Sequence, residues 1–205
     1  MIGEDGDFYT ALDYSFSNEV FPGSTYKFRI RARNHHGWGN WSSVVIILST
    51  GIPDKPAPPT TAMNNIFVRI SWIDPDYNFE AIDNYDIRIG QSDGLTFTQE
   101  LTYCNGSDAT IKLRKYCEIP LSLLSSNSYP FKLVAGTVIT AKFAAHNANG
   151  WSPFSESNTQ GAILQTVPSK MAPPTRDSTT AVNQLVVDWL PPSNDGYSDV
   201  RSYNL

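Results

Sequence analysis

A pattern that occurs twice constrains this chain more than any other feature. Residues 26–43 read YKFRIRARNHHGWGNWSS and residues 139–156 read ITAKFAAHNANGWSPFSE. The copies superpose at a constant spacing of 113 positions, so that Tyr26 falls on Ile139, Phe28 on Ala141, Asn34 on Asn147, Gly37 on Gly150 and Trp38 on Trp151. A repeat at about the length of a domain is the mark of a tandem array. It moves the question of function from catalysis toward architecture.

Within each copy the periodicity is two. Tyr26, Phe28, Ile30 and Ala32 alternate with Lys27, Arg29, Arg31 and Arg33, which predicts a strand with one buried and one wet face. Short runs of this kind recur at Ile66-Phe-Val-Arg-Ile-Ser-Trp72, Tyr85-Asp-Ile-Arg-Ile89, Leu185-Val-Val-Asp-Trp189 and Tyr203-Asn-Leu205. Pro, Gly, Asn and Asp punctuate them, and helical periodicity is nearly absent, so the chain reads as all-β. A hydrophobic content of 40% supplies a core, while 17% charged residues is low for a disordered chain. The formal charge of −5 and the lack of a basic stripe argue against a nucleic-acid partner. The longest apolar run, Val44 to Leu48, is far short of the ~20 residues of a membrane helix, so no membrane insertion is expected within this segment. Met1-Ile-Gly-Glu-Asp5 carries no charged-then-apolar leader, which fits an intracellular protein or an internal piece of a longer one.

Cys104 and Cys117 stand thirteen positions apart with no CxxC and no histidine at ligand spacing, which disfavours zinc. A disulfide closing a hairpin is the expectation, against two unpaired buried thiols. Asn40-Trp-Ser and Asn105-Gly-Ser are glycosylation sequons, and with the cysteine pair they point toward an oxidising, extracellular setting.

Together these residues resemble the fibronectin type III family over nearly the whole chain. The family's marks are a proline-rich lead-in, a core Trp on the second strand and a Tyr opening the third. A Leu-x-Pro-Gly-x-x-Tyr corner and a Tyr-x-Phe-x-Val-x-Ala-x-Asn-x-x-Gly strand and turn follow. The lead-ins here are Pro53 to Pro59 and Pro168 to Pro174, the core tryptophans Trp72 and Trp189, and the strand-opening tyrosines Tyr85 and Tyr203. Val20-Phe-Pro-Gly-Ser-Thr-Tyr26 matches the corner, whose tyrosine hydroxyl the fold ties to the upstream backbone. The second copy has Ile139 there, keeping the apolar plug and losing the hydroxyl bond. The resemblance implies tandem β-sandwiches: the second half of one unit in residues 1–51, a complete unit in 53–167 with a long third-to-fourth-strand excursion holding both cysteines, and the first strands of a third unit in 168–205. The proline-rich linkers predict a semi-rigid rod. The two half-units are of a size to complete each other head to tail between molecules, giving an open filament; a slice of a longer array is the alternative.

Trp38-Gly-Asn-Trp41-Ser resembles the Trp-Ser-x-Trp-Ser box of cytokine-receptor type III domains, with Trp151-Ser-Pro-Phe154-Ser as the second copy's variant. The resemblance implies that Arg29, Arg31 and Arg33 stack on Trp38 and Trp41, and that Trp38 has the spacing at which secreted relatives carry mannose. With Lys142 as the outward cation of the second copy, its ladder is expected to be weak. A ladder that merely stabilises the sheet stands against a ligand site. Asp74-Pro-Asp-Tyr-Asn-Phe-Glu-Ala-Ile-Asp83 has oxygen ligands for calcium but the spacing of no calcium loop, so a solvated loop is expected. His35, His36 and His146 have no nucleophile at triad spacing, and no glycine-rich phosphate loop is present. The expectation is therefore a non-catalytic extracellular structural or adhesive protein without a cofactor, whose partners are proteins: copies of itself or neighbouring units. A receptor ectodomain, an accessory module of a larger secreted enzyme and an intracellular scaffold are the alternatives.

Overall fold

The structure is a computed structural model that describes residues 10–15, 17 and 19–205. The first nine positions of the half-unit expected over residues 1–51, with Phe16 and Asn18, lie outside the described residues. Strands β1 (Thr25–Phe28), β2 (Arg33–Asn34), β3 (Gly37–Trp38) and β4 (Val45–Leu48) make up the first segment. There β1 pairs antiparallel with β4, Tyr26 facing Ile47, and β2 pairs with β3. The Tyr26 hydroxyl donates to Glu19 O at 3.1 Å and accepts from Phe21 N at 2.7 Å, which closes the corner.

Next come β5 (Thr60–Asn64), β6 (Phe67–Ser71), β7 (Asn84–Gly90), β8 (Phe97–Gln99), helix α1 (Ala109–Arg114), β9 (Tyr116–Pro120), helix α2 (Leu121–Ser125), β10 (Ala141–Asn147) and β11 (Gly150–Trp151). They form two sheets, ordered β5-β6-β9 and β11-β10-β7-β8, antiparallel throughout. Alternation dictates what lies between the sheets. Val68 and Ile70 of β6, Cys117 and Ile119 of β9, Tyr85, Ile87 and Ile89 of β7, and Ala141, Phe143 and Ala145 of β10 all point inward into one core. Trp72 sits against Tyr85 and Phe143 with ring centroids 5.3 and 5.8 Å away. Each such large side chain contributes about 1.5–3 kcal/mol by leaving water.

Three expectations change here. Cys104 and Cys117 do form a disulfide, with Cα atoms 5.1 Å apart, but it does not close a hairpin. It encloses α1 and anchors that excursion to β9, since Cys117 lies on the strand itself, opposite Ile70. Helix is also present. In α1, Asp108 caps the N-terminus by accepting from Thr110 N and Ile111 N, while Lys115 ends it at φ 60°; α2 buries Leu121, Leu123 and Leu124. Finally, the strand expected from Tyr26 to Arg33 is broken after Phe28, and no strand forms at Tyr203.

In the last segment β12 (Thr175–Arg176) pairs with β13 (Val187–Asp188). Trp189 meets Tyr203 at 5.8 Å, the pairing that Trp72 makes with Tyr85, yet both rings are exposed. Ile30 and Val44 to Leu48 of the first segment are exposed as well.

Candidate functional site: cation stacks and a joint between repeats

Arg29, Arg31 and Arg33 interleave with Trp41 and Trp38. The Arg29 guanidinium lies 4.4 Å from the Trp41 ring, Arg31 4.5 Å from both Trp38 and Trp41, and Arg33 5.6 Å from Trp38. The arginines recur every two residues and the tryptophans every three, and backbone bonding reconciles the two periods. Gly39 N donates to Ala32 O and Ser42 N to Ile30 O, each at 2.8 Å, so three residues of one segment run beside two of the other. The Ser42 hydroxyl supplies the acceptor for Ile30 N at 3.0 Å that a regular ladder would take from backbone. Each cation–ring contact contributes about 0.5–1 kcal/mol at an exposed site.

The second copy repeats this with a longer series. Ser152, Ser155 and Asn158 accept through their side chains from Ala145 N, Phe143 N and Ala141 N at 3.0, 3.1 and 2.7 Å. All three side chains are buried. The stack itself is stronger than Lys142 alone implies. Lys142 lies 4.5 Å from Phe97 and 5.2 Å from Phe154, and Arg88 reaches Phe154 at 4.7 Å from the neighbouring strand β7. His146 stacks on Trp151 at 4.7 Å. Arg88 was invisible to a one-strand reading because it comes from fifty-odd residues upstream. Asp86 orients it through a 2.8 Å ion pair and holds its guanidinium above the usual range.

The acidic loop from Asp74 to Asp83 spends its carboxylates on separate partners. Asp74 accepts from the Tyr85 hydroxyl and pairs with Lys115 at 2.8 Å, and Lys115 also donates to that hydroxyl. Burial first, then Asp74, pushes the Tyr85 phenol above its usual range. Asp83 pairs with His146 Nδ1 at 2.7 Å. Among the described residues no group of three or more His, Cys, Asp or Glu side chains stands close enough to hold a metal ion. His35 and His36 stack on each other, 3.7 Å apart. Of the sequons, Asn40 is exposed between the two stacking tryptophans, while Asn105 is half-buried and accepts from the Ser107 hydroxyl at 2.7 Å.

That loop also differs from the expected solvated one, because it bonds to the preceding linker. Gly51 N donates to Asn78 O at 3.1 Å and Asp54 N to Asp76 O at 2.9 Å. Asn78 Nδ2 returns bonds to Ile52 O and Asp54 Oδ1 at 2.8 and 2.9 Å. Asn147, fully buried, donates to Gly51 O, Tyr77 O and Glu80 O at 2.8, 3.2 and 3.2 Å and accepts from Asn149 N at 2.9 Å. Asn149 Nδ2 then reaches Thr50 Oγ1 at 3.0 Å. The linker is thus fixed by hydrogen bonds as well as by proline.

Two antiparallel sheets, the Trp72–Tyr85 core pair and the corner at Tyr26 meet relatives of matching kind. The chain is 24% identical over 192 residues to fibronectin type III domain containing protein 3C1 of Mus musculus, an overlap covering 90% of this chain and 12% of that protein. It is 30% identical over 89 residues to fibronectin type-III domain-containing protein 3A of Homo sapiens, covering 42% of this chain and 7% of that protein. Protein sidekick-1 of Mus musculus aligns at 23% over 193 residues, 87% of this chain and 8% of its own length. The fold is all-β, and the likeness to these relatives supports fibronectin type III-like β-sandwich units in tandem. The chain spans about a tenth of the length of these relatives. No protein-family model matches it. A structure of three titin domains overlaps at a TM-score of 0.46 and 16% identity, over 72% of this chain and 43% of that one. Among the described residues no helix is long and apolar enough to cross a membrane.

Proposed function

We propose that this chain is a stretch of an extracellular structural or adhesive protein, a non-catalytic rod of type III units that presents its surfaces at fixed spacing. The units run over residues 1–51, 53–167 and 168–205, the first and last being halves. One observation carries the extracellular reading: a disulfide between two buried cysteines, placed so that it pins α1 to the sandwich. Such bonds persist where the surroundings oxidise. The titratable groups fit the non-catalytic reading, since Asp74 pairs with Lys115 and Asp83 with His146, each in a structural ion pair. Partners are then proteins, including neighbouring units. The test is peptide mapping of native material without reductant. Linked Cys104 and Cys117, with glycan at Asn40 or Asn105, supports the reading; free thiols and bare asparagines would replace it with an intracellular scaffold.

The open apolar faces favour head-to-tail completion as a refinement. Tyr203 corresponds to Tyr85, and Ala32 to Ala145, which Tyr85 faces in the β7–β10 register. Completion would therefore set Tyr203 of one copy opposite Ala32 of the next. Light scattering and negative-stain imaging over a concentration series decide it: filaments with a regular repeat support completion, and monomers at all concentrations remove it. The exposed Arg–Trp stack also resembles the Trp-Ser-x-Trp-Ser box, which favours a receptor ectodomain as the second reading. Binding of a protein ligand that is lost in Arg31→Ala would identify that role.

A further inference from the structure

The two backbone bonds of the joint at Gly51 occur a second time. Thr166 N donates to Gly196 O at 2.9 Å and Ser169 N to Asn194 O at 2.8 Å, where Gly51 N and Asp54 N donate to Asn78 O and Asp76 O at 3.1 and 2.9 Å. In each loop the residue at the first acceptor position is held by an Asx turn: Asp76 Oδ1 accepts from Asn78 N at 2.9 Å, and Asn194 Oδ1 from Gly196 N at 2.7 Å. The next residue is aromatic in both, Phe79 and Tyr197, and both take φ 61°. A left-handed backbone costs a bulky residue of this kind about 1–2 kcal/mol and persists where surroundings over-determine it. Each ring lies over a glycine of the preceding repeat, Phe79 over Gly23 and Tyr197 over Gly136, so closely that a Cβ at either glycine would overlap the ring. Those glycines are the matching residues of the two corners, with φ 73° and 87°. Each is tied in the same way to the closing residues of its own repeat, Gly23 N to Ser49 O at 2.9 Å and Gly136 N to Leu164 O at 3.0 Å.

We infer that the corner glycine of each repeat is the docking site for an aromatic residue of the next, and that this contact with its two backbone bonds couples successive repeats in one fixed orientation. The partner is defined by chemistry: a loop that presents Asx-turn, left-handed and left-handed aromatic residues in sequence. Gly is required because any side chain would occupy the ring's place. Two joints with different linker sequences, Gly51-Ile-Pro-Asp54 and Thr166-Val-Pro-Ser169, reach the same bonds, so the coupling belongs to the repeat and not to one linker. It stands on contacts inside the described chain, whatever the compartment in which the array works.

Amide hydrogen exchange on the 205-residue chain tests this. The amides of Gly51, Asp54, Thr166 and Ser169 are expected to exchange at least about tenfold more slowly than unstructured controls. Phe79→Ala and Gly23→Ala, made on opposite sides of one joint, should each remove that protection at Gly51 and Asp54 and spare Thr166 and Ser169. Tyr197→Ala should do the reverse. Protection at Ala141, Phe143 and Ala145 should stay unchanged in all three. Unprotected joint amides in the native chain would overturn the inference. So would a silent Gly23→Ala beside an effective Phe79→Ala, or loss of protection at Phe143, since either makes the aromatic a support of its own repeat alone.

Discussion

Replacing Asn147 by alanine tests the bonding of the joint most directly. Its amide is fully buried and serves four backbone groups. Two of these keep another partner after truncation: Gly51 O still accepts from Asn149 Nδ2 at 3.2 Å, and Tyr77 O from Glu80 N at 3.2 Å. Glu80 O and Asn149 N lose the bond that Asn147 supplied. The half-buried Glu80 carbonyl left unpaired costs about 1–3 kcal/mol and the lost bond at the exposed Asn149 about 0.5–1.5, so Asn147→Ala should destabilise the β5–β11 sandwich by about 2–4 kcal/mol. Native-state exchange at Ala141, Phe143 and Ala145, whose amides bond to Asn158, Ser155 and Ser152, reads this out. The rates should rise between about thirtyfold and a thousandfold. Asn147→Asp sharpens the test by keeping an acceptor for Asn149 N while aiming a second oxygen at three carbonyls. Ionisation is penalised there, so the folded state raises the carboxyl's pKa. That variant should be most stable below the ordinary aspartate range and weaken as pH rises through the raised value. A cost under about 1 kcal/mol for Asn147→Ala, or an Asn147→Asp chain as stable as the parent at neutral pH, refutes the reasoning.

Reducing the Cys104–Cys117 bond, which encloses a thirteen-residue separation, should cost about 3 kcal/mol and lower the calorimetric midpoint by more than about 10 °C. Arg31 is flanked by both tryptophans and Arg33 by one, so Arg31→Ala should lose about 1–2 kcal/mol and Arg33→Ala about half as much in urea titrations. Acid should weaken the β5–β11 sandwich through Glu118, whose carboxyl the Arg69 and Asn64 hydrogen bonds hold below the usual range. A depressed folded pKa contributes stability that is present above the unfolded value and lost as pH falls through the folded one, so Glu118→Gln should flatten the acid limb of a stability–pH curve.

The sheet core was legible because it obeys a local rule. Alternation along Phe67–Ser71 and Asn84–Gly90 names the buried faces directly, and the repeated Trp–Tyr pair marks the strand order. What escaped depends on contacts that no window of sequence contains. Arg88 joins the second stack from another strand. Phe79 docks on a glycine of the previous repeat, and the acidic loop looks solvated until its linker partner is known. Helix α1 is six residues long, too short for a periodicity to register, although Asp108 in its cap position was a readable signal. The alternation at Tyr26 to Arg33 sorts the arginines onto one side, but the buried face and continuous strand it predicts do not form: the strand ends at Phe28, and Ile30 and Ala32 are exposed. The three-against-two bonding of Gly39 and Ser42 bends the ladder where the arginines stand.

The disulfide also sets how far the sandwich that holds it can be drawn out. A unit unravelled by tension pays out its contour at roughly 3.3–3.6 Å per residue. Cys104 and Cys117 are thirteen residues apart but held with their Cα atoms 5.1 Å from each other, which withholds about 40 Å from every such event while the bond is intact. Reduction returns that slack. In the proposed array, extensibility would therefore follow the oxidation state of this bond, greater when it is reduced and smaller when it is intact, with the folded length unchanged.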